Sequence, residues 1–418
     1  MKNLYLYLAI AFPLFSLSQT PEVPMPAPGK SHMNFSRAIG WKGGETPKAP
    51  AGFTVTKFAE DFESARWLYV MPNGDVLVAD TNAKYPLLVQ AGAVVSGASK
   101  ANNIKRSPNR IILLRDSDKD GKVDLRTTFL EGLNQHLGML ATDTYFYVAN
   151  TDALLRYPYS PGDTQITGKP EKIMDLPTTA INLHWGKNIM ASPDNSKIYI
   201  AVGSATNIGE AGMDKEVLRG NILEINPDGS GLRVFASGLR NPMGMDWSPQ
   251  TSELYTVVVE RDFLGDELVP DYLTSVKENG FYGWPYSYFG KHLDPRVQET
   301  KPELLDKVIV PDVGMGAHTT CMGLTFYSGK SFPQHYRNGA FVTQHGSYNR
   351  QKLAGFKVVF VPFENGKPAA PEDFLTNFIV DPDKDEVRGR PLGIAEMPDG
   401  SLLVSDDKMN IIWRVSAN

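Results

Sequence analysis

The chain has 418 residues, a formal net charge of -5 and a pI near 5.9, without the clustered Lys and Arg that mark a nucleic-acid footprint. Its 37 Gly and 30 Pro, set among short V/I/L/Y runs with no long helical apolar spacing, exclude a helical bundle and favour a single long all-β domain. Cys321 is the only cysteine, so no internal disulfide forms and the core must supply the stability.

In chain order, residues 1–18 (M-K-N-L-Y-L-Y-L-A-I-A-F-P-L-F-S-L-S) carry an early Lys, an apolar middle and small residues at Ser16 and Ser18. This pattern predicts a cleaved signal peptide, hence a periplasmic or secreted protein with no transmembrane span after cleavage. Residues 19–50 read as a Pro/Gly-rich arm on the surface. From 51 to 418 the sequence repeats. A turn followed by a strand recurs as P-N-G-D-V-L-V-A-D (72–80), T-D-T-Y-F-Y-V-A-N (142–150), P-D-N-S-K-I-Y-I-A-V-G (193–203), P-Q-T-S-E-L-Y-T-V-V-V-E (249–260), R-N-G-A-F-V-T-Q-H (337–345) and P-D-G-S-L-L-V-S-D (398–406).

Most copies are followed by a second strand and turn, such as R-I-I-L-L-R-D-S-D-K-D-G (110–121) and N-I-L-E-I-N-P-D-G-S-G (221–231); the fourth shows no clear match before G-F-Y-G-W-P. At about 60 residues per unit, six copies predict a six-bladed β-propeller over 51–418. The last strand, 411–416, lacks a successor while F-T-V-T-K-F (53–58) precedes the first unit, so both termini are expected to share one blade. Closing the ring in this way protects sheet edges.

The residues just upstream of each innermost strand should face a common mouth. They are Arg66, His136, His184, Arg240 with Asn241, His318, and Arg388 with Arg390. Converging arginines need an anion to offset their desolvation, and histidines among them point to proton transfer. Separately, D-S-D-K-D-G-K-V-D places Asp116, Asp118, Asp120 and Asp124 at the spacing of a calcium-loop opening, with Thr127 where a closing Glu would stand.

The H-x-x-x-N-I-M before S-P-D-N-S-K-I-Y-I-A-V-G, the G-L-R-N-P-x-G-M, the Y-G-W-P and the R-G-R-P-L-G-I together resemble the soluble quinoprotein sugar dehydrogenases, including the aldose and L-sorbosone branch. The resemblance runs from about residue 50 to the end. It implies pyrroloquinoline quinone as cofactor and oxidation of an aldose or sorbosone-like aldehyde. By the same resemblance His184 is the general base, Arg240 and Asn241 lie over the reactive quinone carbonyl, and Arg388 and Arg390 bind the cofactor's carboxylates. Calcium is expected on backbone carbonyls around Asp262 and Phe263. Gln135, His136 and His318 complete the expected cofactor contacts. The chain departs from the glucose-oxidising relatives where they place a lysine, offering His345 and Arg350 instead. No C-x-x-C-H follows the repeats, so electrons are expected to pass to a separate acceptor. Two other readings stand beside this one: a lactonase-like propeller hydrolase, and a non-catalytic propeller binding glycans or proteins.

Overall fold

A computed structural model describes residues 25–84, 94, 97–101, 106–297 and 299–418, so the expected signal peptide lies outside the described residues. The described chain is nearly all β, and its longer strands fall into six antiparallel sheets in sequence order. The first holds Ala65–Val70, Val76–Asp80, Arg110–Arg115 and Leu125–Leu130. The second holds Met139–Ala141, Tyr145–Ala149, Ala153–Pro158 and Glu171–Asp175. The third runs Lys187–Ala191, Ile198–Val202, Asn221–Ile225 and Arg233–Ser237, and the short strand Gly280–Phe281 joins its edge in parallel.

The fourth sheet corrects the sequence reading. Leu254–Val258 is followed by a regular partner at Pro270–Ser275, and Val313–Ala317 completes the sheet after the insertion that carries G-F-Y-G-W-P. The strand was hidden because Asp271, Thr274 and Ser275 are buried polar residues, which erase the apolar alternation that marks a strand. The fifth sheet holds Cys321–Phe326, Gly339–Gln344, Lys357–Glu364 and Glu372–Leu375. The sixth holds Pro391–Glu396, Leu402–Asp406 and Ile411–Ala417, and Phe53–Ala59 pairs antiparallel with the last of these as its outer strand.

The second strands Val76–Asp80, Ile198–Val202, Leu254–Val258 and Leu402–Asp406 are buried at every residue. A sheet covered on both faces needs apolar side chains on both, so these strands read as mostly apolar runs, with Asp80, Thr256, Ser405 and Asp406 as buried polar exceptions. Neighbouring sheets are joined through side-chain and backbone hydrogen bonds at their inner strands. Ala141 N–H donates to Tyr69 Oη (3.1 Å), Gly138 N–H to Lys187 O (2.8 Å), Asn188 Nδ2 to Met243 O (3.0 Å) and Phe326 N–H to Asp246 Oδ2 (2.7 Å). Thr343 donates to Leu392 O, and Ser405 to Arg66 O, which returns the path to the first sheet. At this last junction a Cβ on Gly393 would stand 2.5 Å from Arg66 O, so only glycine allows the approach. The arrangement is that of a β-propeller.

The arm before the repeats lies against the same end of the molecule. Arg37–Ala38 pairs in parallel with Glu386–Val387, and Trp41 packs edge-on to Phe378 and Trp413 with ring centroids 5.2 Å from each. Among the described residues no helix is long and apolar enough to cross a membrane.

Candidate active site

His184 stands just before the third sheet's inner strand and lines a cavity of about 160 Å³ with Arg66, Trp185, Asn241, Thr320 and His345. With Leu137 these residues come from positions in or beside the strands of five sheets. A larger cavity of about 1180 Å³, beside Tyr145 and Arg156, has no histidine in its lining. Volume alone does not locate the chemistry.

His184 Nδ1 lies 2.8 Å from Ser204 O and 3.0 Å from Ser204 Oγ. Its pKa falls well below 6.5, because burial and then the Arg240 charge disfavour the imidazolium. Gly203 is what lets His184 and Asn241 meet. A Cβ there would stand 2.2 Å from Asn241 Oδ1 and 2.5 Å from His184 Cβ. Asn241 is 7 % exposed and its Oδ1 is buried without a hydrogen-bond partner, an acceptor that a ligand donor could satisfy.

Arg240 departs from expectation. All five of its N–H groups are taken, by Asn207 O (3.2 Å), Val259 O (3.2 Å), Glu260 O (2.6 Å), Asn207 Oδ1 (2.9 Å) and Asp262 Oδ2 (3.3 Å). A guanidinium has five donors, so none remains for a ligand carbonyl in this arrangement. Its influence on the mouth is the charge it projects onto His184.

A second group closes the other side. Asp407 accepts from Arg66 Nη1 (2.9 Å) and from His345 Nε2 (2.9 Å), while Arg390 Nη2 lies 2.8 Å from His345 Nδ1. An arginine can only donate, so His345 Nδ1 is the acceptor and Nε2 carries the proton donated to Asp407. Burial and the Arg390 charge push His345 down to about 4, which keeps it neutral. Burial opposes ionisation of Asp407, but the His345 hydrogen bond and the charges of Arg66 and Arg390 hold its carboxyl well below the usual range. Arg66 also lies over the Trp185 ring at 5.4 Å.

The remaining expected residues spread around this mouth. Arg388 parts from Arg390: its guanidinium grips Glu45 of the N-terminal arm (2.9 and 3.1 Å) and Asn377, outside the cavity lining. Arg350 pairs with Glu267 (2.8 Å) and Ala317 O (3.3 Å). His136 is 0 % exposed with both ring nitrogens unpartnered, and burial pushes its pKa down to about 3, so it packs as a neutral ring behind the mouth. Gln135, next to it, is buried with a left-handed backbone, and its N–H donates to Asn109 Oδ1 (3.0 Å).

His318 Nε2 donates to Gly265 O (2.9 Å), and Nδ1 lies 3.6 Å from Asp262 Oδ1; burial opposes its charge, yet the Asp262 carboxylate and Gly265 carbonyl raise its pKa. The Asp262 carboxylate is thus engaged by Arg240, by His318 and by Tyr348 Oη (2.7 Å). The Asp262 carbonyl accepts from Asn207 Nδ2 (3.0 Å), and Phe263, in left-handed backbone, is 40 % exposed. In the other acidic turn, carboxylate oxygens of Asp116, Asp118 and Asp120 come within 4.8 Å of one another. Asp124 stands apart from them and accepts the Ser117 N–H at 2.6 Å.

Asp407, Thr320, Trp185 and Ser204 were not anticipated. Asp407 follows the second strand of the last sheet, S-L-L-V-S-D-D, at the same end as the arginines, and reading downstream of each second strand as well as upstream of each inner one would have found it.

The sequence profile of the glucose/sorbosone dehydrogenase family matches residues 144–414, more than half of the chain. An uncharacterized protein of Borreliella burgdorferi is 32% identical over 243 residues, 57% of this chain and 62% of that protein's length. In fold, the chain is similar to a Trichoderma reesei enzyme of carbohydrate-active family AA12, at TM-score 0.72 and 16% identity over 89% of this chain and 97% of that one. It is similar as well to the PQQ domain of Coprinopsis cinerea pyranose dehydrogenase, at TM-score 0.71 and 17% identity over 91% and 100%. The PQQ-bound aldose sugar dehydrogenase of Streptomyces coelicolor gives TM-score 0.60 and 18% identity over 89% and 100%. The chain belongs to the glucose/sorbosone dehydrogenase family.

Proposed function

We propose that this protein is a sugar dehydrogenase that oxidises an aldose or sorbosone-like aldehyde at the mouth of a six-bladed propeller, the six sheets being its blades. The observation that carries the reading is the mouth itself, where a neutral histidine, an unpartnered amide oxygen and a group of cations converge. Pyrroloquinoline quinone fits this donor set: Asn241, Arg66, Arg390 and His345 would hold it, with Gly203 giving it room against His184. When bound, that group supplies the electron sink for the hydride leaving the sugar carbon.

The protein's part is the proton. His184, kept neutral by burial and by Arg240, accepts the sugar hydroxyl proton at Nε2, the nitrogen opposite its bond to Ser204. Arg240 favours the neutral base through its field. Calcium on the backbone carbonyls of Asp262 and Phe263 matches the hard-oxygen chemistry of that loop, and Asp116, Asp118 and Asp120 form a second candidate cation site. The lysine-led apolar stretch at 1–18 supports export, and a separate acceptor takes the electrons.

The test is titration of metal-stripped protein with pyrroloquinoline quinone and calcium, followed by dye reduction with aldoses and sugar aldehydes. Saturable binding with turnover that His184→Ala abolishes is expected. A fully active His184→Ala protein removes the mechanism.

A further inference from the structure

Behind His184 lie two buried basic side chains that the proton chemistry leaves without a task. Arg219 is 3 % exposed and Lys187 is 0 % exposed. Arg219 Nη1 donates to Pro177 O (2.9 Å), and its Nη2 faces Asn182 Oδ1 (2.7 Å), Ser204 O (3.1 Å) and His184 O (3.3 Å). Lys187 Nζ donates to His184 O (3.1 Å) and Trp185 O (3.3 Å). The nearby acid, Glu216, is occupied by the N–H groups of Ala205 (2.7 Å) and Thr206 (3.0 Å) and by the Thr206 hydroxyl (2.7 Å). Burying a guanidinium whose hydrogen bonds go to neutral oxygens is expensive, so its placement here asks for a function.

We propose that Arg219 is a positioning residue that, through the Ser204 carbonyl, holds His184 in the Nδ1–H tautomer and leaves Nε2 as the basic nitrogen. A carbonyl cannot donate, so the 2.8 Å contact of His184 Nδ1 with Ser204 O requires the proton on Nδ1. The Ser204 hydroxyl agrees, since its own proton goes to Thr206 O at 2.6 Å and only its lone pairs face the ring. The other tautomer would set the bare Nδ1 against two oxygens. Arg219 Nη2 binds the same Ser204 oxygen, and together with Lys187 it also binds the main-chain oxygen of His184, so both ends of the imidazole's support are held from behind. The charges facing His184 are Arg240, Arg219 and Asp262, with the first two disfavouring the imidazolium and the third favouring it. The catalytic meaning of the tautomer rests on His184 being the base.

The experiment compares the full-length protein with Arg219→Met and with Arg219→Lys, as a fallback if the first does not fold. Two-bond nitrogen–proton correlation spectra of 15N-histidine-labelled protein at pH 7, assigned with His184→Gln, read the tautomer with no cofactor or turnover needed. The same proteins, loaded with quinone and calcium, give kcat, KM and the pH profile by dye reduction. A single Nδ1–H tautomer is expected for the native protein and a mixture for Arg219→Met. The mixture should be accompanied by a fall in kcat on the order of 10²-fold, KM within about twofold, and an acid limb moved to higher pH. Arg219→Lys, which keeps a cation but loses the fork, should lie between the two. A native tautomer mixture, or a single Nδ1–H tautomer retained in both variants, would overturn the proposal. A tautomer shift with kcat and pH profile unchanged would uphold the positioning and remove His184 as the base.

Discussion

Gly203→Ala is the sharpest perturbation of the mouth. Its added methyl carbon would stand 2.5 Å from His184 Cβ and 2.2 Å from Asn241 Oδ1. Carbon atoms in contact prefer about 3.5–4.0 Å, so His184 or the strand must yield by about 1 Å. Gly203 does not use a left-handed backbone, which makes the change purely steric. A shift of that size costs on the order of 10²-fold in rate, or about 2.7 kcal/mol of activation free energy. Overpacking at one buried position costs about 1–3 kcal/mol of stability, which a well-folded domain survives. The assay is quinone titration by fluorescence and dye reduction at saturating sugar, with thermal melting as the control for folding. The expected result is a folded protein whose kcat falls about 10²-fold and whose quinone binding weakens through Asn241. A folded Gly203→Ala protein with native kcat and native quinone affinity would refute the reasoning, because it would show that neither side chain needs its present place.

Asp407→Asn removes the carboxylate that Arg66 and His345 share, and losing the charged partner of these hydrogen bonds should cost about 1–3 kcal/mol at pH 7 by denaturant titration. Because the folded pKa of Asp407 is depressed, its stabilisation is full above the unfolded value of about 3.9 and fades as pH falls through the folded one. The difference between native and variant should therefore be flat from pH 7 to about 5 and shrink below about 4. His184 must be neutral to accept a proton and its pKa lies well below 6.5, so kcat/KM should stay flat as pH falls from 7.5 through 6.5; a limb centred at or above 6.5 contradicts the burial argument. Arg390→Ala should weaken quinone binding on the order of 10²-fold, whereas Arg388→Ala, whose guanidinium is held by Glu45, should change it less than about threefold.

The repeats were legible because a strand covered on both faces is usually a mostly apolar run, and the turns between strands carry their own residue code. Val76–Asp80 and Leu402–Asp406 show both features. Pro270–Ser275 shows neither, since its buried Asp271 is paid for by the Glu260 and Cys321 N–H groups and the Thr319 hydroxyl, partners distant in sequence or set by the fold. The mouth was partly legible. His184 and Asn241 line it as their position upstream of inner strands suggests, while Arg66 stands within such a strand and His345 follows a second one. What the sequence could not carry is the direction of a side chain within a motif. Arg388 and Arg390 are separated only by Gly389, yet one turns to Glu45 of the arm and the other to His345. Likewise the complete saturation of Arg240 depends on Asn207 and Asp262, which no local pattern joins to it.

The outer strand of the sixth sheet has a consequence for how the chain is made. Phe53–Ala59 is synthesised early, and its partner Ile411–Ala417 follows about 350 residues later, with Thr54 opposite Ser416. A ribosome adding about 5–20 residues per second leaves that early strand without its mate for tens of seconds. The other sheets take their strands from neighbouring sequence and can form as they are synthesised, but the circle shuts only when Ile411–Ala417 arrives. The slowest event in folding should therefore be the meeting of these two strands, the pairing with the largest separation in sequence.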